Sequence, residues 1–140
     1  VTFHDSCNVA RGSNMGNIEN GQFILPREVI KAACNHFADM PKATIKASTF
    51  CCGGGGGLLT DDLIELRIKG AMPRMQALKQ SQENDGVNTL AAICAICKSQ
   101  FSKVLPNYDF DPYMIVSVHQ LVSDALVLSD KSQTKAEDSL

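Results

Sequence analysis

The sequence lacks an excess of positive charge and has no long apolar run. Its 13 Lys and Arg residues are outnumbered by 15 Asp and Glu residues, which gives a net charge of -2 and a pI near 5.9. No basic run interleaves with aromatic residues, so we expect no nucleic-acid partner. The longest uninterrupted apolar stretch, residues 90–97, is far shorter than the roughly 20 residues that cross a bilayer. We therefore expect no direct membrane span.

Two further sequence signals are missing. The glycines at 53–57 are not followed by the Lys and Ser or Thr of a phosphate-binding loop. They suit either a flexible turn or a backbone whose N–H groups approach a ligand closely. The chain starts at Val1 without a basic and apolar leader, and we expect it to be part of a longer protein.

The apolar content is 44% over 140 residues, which is sufficient for one domain with its own core. Six cysteines in such a chain raise the alternative of a disulfide framework, but disulfide-rich domains are small and poor in regular core. We therefore expect a reducing, cytoplasmic setting in which clustered cysteines bind metal or do redox chemistry. The domain is predicted to cover residues 1–128, and the polar tail at 129–140 is predicted to be disordered.

Apolar periodicity and turn residues predict four alternations of strand and helix. The predicted strands cover residues 1–4, 44–50, 87–93 and 114–118, and the predicted helices start near Pro26, Thr60, Cys94 and His119. The connections are too long for hairpins, which favours crossovers in a mainly parallel sheet. The fold class is therefore α/β, with about four strands and with the cysteine loops at the carboxyl edge of the sheet.

Five cysteines fall into three groups, each directly after a predicted strand: Cys7, the pair Cys51-Cys52, and Cys94 with Cys97. If these strands are parallel, the five sulfurs meet at one sheet edge. Five thiolates exceed the four ligands of zinc or of a cubane cluster, which favours a polynuclear site. Two alternatives stay open: a zinc site that uses four of the cysteines, and a metal-free dithiol in which Cys94 and Cys97 have lowered thiol pKa values at a helix start.

Three segments, residues 4–7, 51–55 and 94–98, resemble the cysteine-rich CCG domain of the heterodisulfide reductase family, and the resemblance extends over residues 1–128. It implies an oxidoreductase with one noncubane [4Fe-4S] cluster that cleaves a disulfide with electrons delivered one at a time. The resemblance places Cys7, Cys51, Cys52, Cys94 and Cys97 as the cluster ligands. Residues expected near the cluster without binding metal are His4, Gly53, Gly54, Gly55 and Lys98.

Within the family, the sequence is most similar to the catalytic subunit of a membrane-bound complex associated with sulfite reduction. This implies a DsrC-like sulfur-carrier protein as substrate and a peripheral location on the cytoplasmic face of the inner membrane, beside the other subunits of a quinol-linked complex. The chain has no ferredoxin-type C-x-x-C-x-x-C run, so we expect no turnover with quinol by this chain alone. The sixth cysteine, Cys34, lies on an apolar helix face and is expected to be a small buried hydrophobe.

Overall fold

The computed structural model describes residues 1–58 and 60–127. Three short strands, β1 (Thr2–His4), β2 (Leu90–Ala92) and β3 (Ile115–Ser117), form a parallel sheet in the order β1-β2-β3. Each strand starts and ends in register with its neighbour, so the three carboxyl ends are level. The structure confirms the α/β class and the parallel sheet.

Four α-helices surround this sheet: α1 (Leu25–Ala33), α2 (Ile64–Asp85), α3 (Ala95–Val104) and α4 (Val118–Ala125). A proline stands in the first turn of α1, where the missing N–H costs nothing. Helix α2 continues through Pro73 and ends at Gly86, whose φ of 65° is the left-handed cap that glycine adopts most easily. No helix within the described residues has the length and apolar content needed to cross a membrane.

Two predicted elements are corrected. Helix α1 ends at Ala33 rather than near Met40, because the chain then becomes extended and the Ala38 N–H donates to the Val1 carbonyl. The strand predicted at residues 44–50 is absent, and the described residues contain three strands instead of about four. Two single turns of 3-10 helix, Lys42–Thr44 and Lys46–Ser48, take its place.

Side chains from distant segments replace a strand partner for residues 44–49. Asp5 accepts a hydrogen bond from the Lys46 N–H at 2.7 Å. Arg11 donates to the carbonyls of residues 47 and 49 at 3.1 and 3.0 Å, and Arg74 donates to the Thr44 carbonyl at 2.5 Å. Four backbone groups of this segment therefore find side-chain partners without a sheet ladder, although its β-branched residues are typical of a strand.

The core lies on both faces of the sheet, because side chains alternate along each strand. One face packs against α2 and α3 and includes Leu90, Met75, Leu78, Phe101 and Ile115. The other packs against α1 and α4 and includes Phe3, Ile30, Ala91 and Val118. All three residues of β1 and of β2 are buried, as is typical of parallel strands covered on both faces.

A buried ion pair fixes the end of β1 to α1. The Arg27 guanidinium donates to both carboxylate oxygens of Asp5, at 2.7 and 2.8 Å, and its Nε donates to Asp39 at 2.9 Å. Bidentate geometry of this kind holds both partners in one orientation. Ser6 and Cys7 directly follow Asp5 in the chain. The ion pair between Arg27 and Asp5 therefore positions the start of the first cysteine loop.

Candidate metal centre

Cys7 follows β1, and Cys94 with Cys97 follows β2, and each group lies at the start of a helical segment. Cys7 opens a short π-helical turn, Cys7–Gly12, that Ser6 caps by accepting a hydrogen bond from the Val9 N–H at 3.2 Å. Cys94 is the cap residue of α3, and Cys97 lies in the first turn of that helix. The free N–H groups of a helix start favour negative charge, including thiolate charge.

The adjacent cysteines reach the same place without a strand. Arg11, on the turn that carries Cys7, donates to the Ala47 and Thr49 carbonyls and so clamps the incoming chain just before Cys51 and Cys52. The Thr49 hydroxyl adds a hydrogen bond to the Asp5 carbonyl at 2.9 Å. The residue that follows β1 therefore anchors the chain two residues before the adjacent pair.

The five predicted ligands form one continuous row of contacts. Cys7 interacts with Cys51, Cys51 with Cys52, Cys52 with Cys97, and Cys97 with Cys94. An open pocket of about 570 Å³ lies against this row. Its lining consists of Ser6, Cys7, Asn8, Arg11, Gly12, Cys52, Gly54, Gly55, Gly56, Gly57, Cys94, Ile96 and Cys97.

Proton affinities differ along the row. Burial and the neighbouring Cys51 raise the pKa of Cys7, and the hydrogen bond with Cys52 together with burial raises the pKa of Cys51. For Cys52, the contact with Cys51 lowers the pKa, but the contact with Cys97 and burial outweigh it and raise the pKa to about 12. Burial also acts to raise the pKa of Cys94, yet hydrogen bonds from α3 and from Ser6 leave it lowered. Burial and sulfur contacts therefore raise the pKa of Cys7, Cys51 and Cys52, whereas the pKa of Cys94 is lowered.

The glycine run brings backbone N–H groups to sulfur. The Gly53 N–H donates to Cys51 Sγ at 3.3 Å, and Gly53 has a φ of 90°. A Cβ at Gly53 would lie 2.2 Å from the Arg67 carbonyl oxygen, so no other residue fits there. A Cβ at Gly55 would meet Cys51 Sγ at 3.2 Å, while Gly54 lines the pocket. The sequence left two explanations for the glycine run, a flexible turn or a close approach of backbone N–H groups to a ligand. The contact between Gly53 and Cys51 is of the second kind.

Three of the residues expected near the cluster, His4, Gly53 and Lys98, lie outside the pocket lining, as does the predicted ligand Cys51. His4 is fully buried on β1 with its ring edge-on to Phe101 at a centroid distance of 4.8 Å. Lys98 is exposed on α3. Cys34 packs partly buried against the other face of the sheet, with Phe3 and Ile30, and is not in the thiol row.

The pocket lining contains four residues that are neither cysteine nor glycine, and sequence reasoning did not assign any of them to the site. Asn8 and Arg11 follow Cys7 in the same turn, Ser6 precedes it, and Ile96 stands between the cysteines of α3 with 43% of its surface exposed. Their only sequence signal was adjacency to the cysteines. Ile96 is the clearest of the four in the structure, because an isoleucine is usually buried.

Thiolate sulfurs are the ligands that iron–sulfur clusters use, and the row supplies five. Within the described part of the chain, no group of three or more Cys, His, Asp or Glu side chains surrounds a single ion position. The five cysteines instead interact as neighbouring pairs, and four of them, Cys7, Cys52, Cys94 and Cys97, line the pocket. The type and number of these sulfur donors fit a polynuclear cluster.

A parallel α/β domain that gathers five thiols at one sheet edge defines a cysteine-rich, metal-binding class of protein. The family model described as "Cysteine-rich domain", CCG, matches residues 1–102, and the chain belongs to this family. It is 45% identical over 129 residues to the Hdr-like menaquinol oxidoreductase iron-sulfur subunit 2 of Archaeoglobus fulgidus. It is 44% identical over 129 residues to the Hdr-like menaquinol oxidoreductase iron-sulfur subunit of Archaeoglobus profundus.

Both alignments cover 92% of this chain and 22% of the relative, so the chain spans about a fifth of the length of these relatives. No solved structure matches the chain.

Proposed function

We propose that this chain is a redox domain in which Cys7, Cys51, Cys52, Cys94 and Cys97 hold one noncubane [4Fe-4S] cluster. The continuous row of thiol contacts beside an open pocket carries the proposal. Five sulfurs are more than the four that zinc or a cubane cluster takes. The relatives are named as iron–sulfur subunits, which supports metal of this kind.

The proposed reaction is the reduction, or in reverse the formation, of a disulfide or trisulfide of a DsrC-like sulfur-carrier protein. The bound cluster would supply electrons singly, and two electrons with two protons convert one disulfide into two thiols. A trisulfide would take four electrons and four protons and would release its central sulfur as hydrogen sulfide. The chain's own contribution is a pocket that admits a sulfur group. Glycines without side chains keep one wall open, and the exposed Ile96 offers an apolar contact at the thiol row.

Positioning of the ligands falls to residues around the row. Arg11 holds the segment before Cys51 against the turn that carries Cys7. The hydrogen bond between Ser6 and Cys94 joins the first and last ligand segments and favours the thiolate of Cys94. Both interactions set the distances between ligand groups that are far apart in sequence, and such preorganisation favours one cluster geometry.

We further propose that residues 1–128 are the catalytic domain of a longer, DsrK-type subunit. The relatives are named as subunits of a menaquinol oxidoreductase, which supports a membrane-bound, quinol-linked complex as the larger partner. The domain would lie on the cytoplasmic face of the inner membrane and receive electrons through other parts of that complex. Alone, the chain is not expected to react with quinol.

One observation favours a second candidate function. Cys94 has a lowered pKa and contacts Cys97 at a helix start, as the reactive pair of a thiol–disulfide oxidoreductase does. This candidate uses two of the five thiols in the row and gives no role to Cys7, Cys51 or Cys52. The same experiment tests both functions.

The test is anaerobic reconstitution with iron and sulfide, followed by iron, sulfide and zinc analysis and an electron paramagnetic resonance spectrum of the oxidised, substrate-treated protein. We expect about four irons per chain with matching sulfide. Cys51→Ala and Cys52→Ala should lose this cluster. Cys34→Ala is the matched control, because Cys34 lies on the other face of the sheet, and it should retain the cluster.

Two results would contradict the proposal. Absence of iron together with about one zinc per chain would indicate the zinc-stabilised interaction module. Absence of both metals, with a reversible Cys94–Cys97 disulfide, would indicate the dithiol oxidoreductase.

A further inference from the structure

Arg74 is a buried cation that forms no ion pair within the described residues, and its guanidinium carbon lies 5.9 Å from the centre of the Phe50 ring. It stands on α2 with none of its surface exposed. Its guanidinium donates to three uncharged acceptors: Met40 Sδ at 2.8 Å, the Thr44 carbonyl at 2.5 Å and the Thr49 hydroxyl at 2.8 Å. Its Nε has no hydrogen-bond partner within the described residues. Buried charges in proteins are normally paired, so this arrangement requires an explanation.

The available carboxylate is already engaged elsewhere. Asp5 lies within electrostatic range of Arg74, but Arg27 binds both of its oxygens. Arg27 is itself a second positive charge that acts on Arg74. Burial and this neighbouring cation outweigh the attraction of Asp5 and lower the pKa of Arg74 to about 10. Asp5 therefore does not neutralise Arg74.

Two of the predicted ligands lie in the part of the core that adjoins Arg74. Arg74 donates to the Thr49 hydroxyl, three residues before Cys52, and both Cys52 and Cys97 pack in the same buried core as the neighbouring Met75 of α2. Both sulfurs also act on the Arg74 charge. A thiolate bound to metal carries negative charge. Metal held by these cysteines would therefore supply the counter-charge that Arg74 lacks.

We propose that Arg74 is the buried counter-charge of the cluster held by the five cysteines, and that it raises the cluster's reduction potential. This inference rests on the proposed function. A fixed positive charge in a water-excluded interior stabilises the reduced state of a cluster relative to its oxidised state. Arg74 is a positioning residue, since it acts through the ligands and does not line the pocket.

The same charge couples cluster binding to the fold. Arg74 joins α2 to the segment before the adjacent cysteines through Thr44 and Thr49. Binding of the anionic cluster would relieve the unpaired charge, so the cluster should stabilise the protein more when Arg74 is present than when it is absent. This difference separates an electrostatic role from a purely structural one.

The experiment compares the wild type with Arg74→Met and Arg74→Lys in anaerobically reconstituted protein, by redox titration monitored with electron paramagnetic resonance. We expect Arg74→Met to lower the midpoint potential of the cluster by about 59 mV for a one-electron step. At the wild-type midpoint, the ratio of reduced to oxidised cluster in this variant should then be about tenfold lower. Arg74→Lys should stay near the wild type because it retains the charge. Lys79→Met, which removes an exposed charge from the same helix, is the control and should not change the potential.

Thermal unfolding with and without the cluster is the second readout. The cluster should raise the melting temperature of Arg74→Met less than it raises that of the wild type. If Arg74→Met is unfolded without metal, Arg74→Gln is the variant used for this comparison. An unchanged potential, or an equal loss of stability in both forms, would overturn the inference and leave the proposed function intact. Failure of the wild type to take up iron would overturn both.

Discussion

Acid should destabilise the metal-free domain through His4. This side chain is fully buried at the end of β1, neither ring nitrogen has a hydrogen-bond partner within the described residues, and its ring packs edge-on against Phe101. Burial, reinforced by the nearby charge of Arg74, lowers the pKa of His4 well below its ordinary value of 6.5. The folded protein therefore holds His4 neutral at a pH where the unfolded chain binds a proton.

The sign and size of the effect follow from proton linkage. A group whose pKa is lowered by folding contributes stability above its unfolded pKa, and that contribution is lost as the pH falls toward the folded pKa. Each pH unit below an unfolded pKa of about 6.5 costs about 1.4 kcal/mol. Between about pH 7 and pH 5, His4 should therefore lower the free energy of unfolding by about 2 kcal/mol.

Urea denaturation of the reduced, metal-free protein at both pH values measures this loss. The His4→Gln variant removes the titrating group, so its stability should fall by about 2 kcal/mol less over the same interval. His36→Gln is the matched control, because His36 is exposed, and it should follow the wild type. The reasoning is refuted if His4→Gln and the wild type lose equal stability on acidification.

Three further predictions concern the buried ion pair, the glycine turn and metal uptake. Arg27→Met leaves the Asp5 carboxylate buried without its guanidinium and should lower the free energy of unfolding by roughly 3–5 kcal/mol in urea titrations; a loss near zero would contradict this. Gly53→Ala forces a Cβ against a backbone oxygen and should reduce the amount of iron bound per chain. Gly86→Ala is its control, because Gly86 also has a positive φ but no atom near the added Cβ, and this variant should bind as much iron as the wild type. Because the pKa of Cys52 is raised to about 12, iron uptake should release protons and strengthen as pH rises, and an uptake independent of pH would count against thiolate ligation.

Local sequence signals were sufficient to locate the four helices and three of the strands, although not the end of α1. Helix α2 has a glycine at its end, α3 begins directly after Cys94, and the segments around Phe3, Ala91 and Val116 combine apolar residues with nearby turns. The resemblance in the cysteine segments also predicted the family, which the comparison with family models confirms. The role of the five cysteines as ligands stays a prediction, although the structure brings their sulfurs into one row.

The segment at residues 44–50 shows where local signals fail. Its β-branched residues predict a strand, but Asp5, Arg11 and Arg74 satisfy its backbone groups from distant parts of the chain. Sequence periodicity carries no information about such long-range hydrogen bonds. The apolar pattern predicts a last helix over residues 119–128, but α4 ends at Ala125, where Leu126 is extended. The polar tail predicted at 129–140 lies outside the described residues.

The sequence by itself determined which groups are available for chemistry, because residue type sets the ligand atoms and their spacing limits what can share one helix turn or one loop. Tertiary structure alone decided that Cys52 touches Cys97, that Cys34 lies on the opposite face of the sheet, and that Arg74 is buried without a carboxylate of its own. Each depends on how the helices and loops pack around the sheet. Burial and charge pairing are properties of that packing, and they set the electrostatics of the cysteine site.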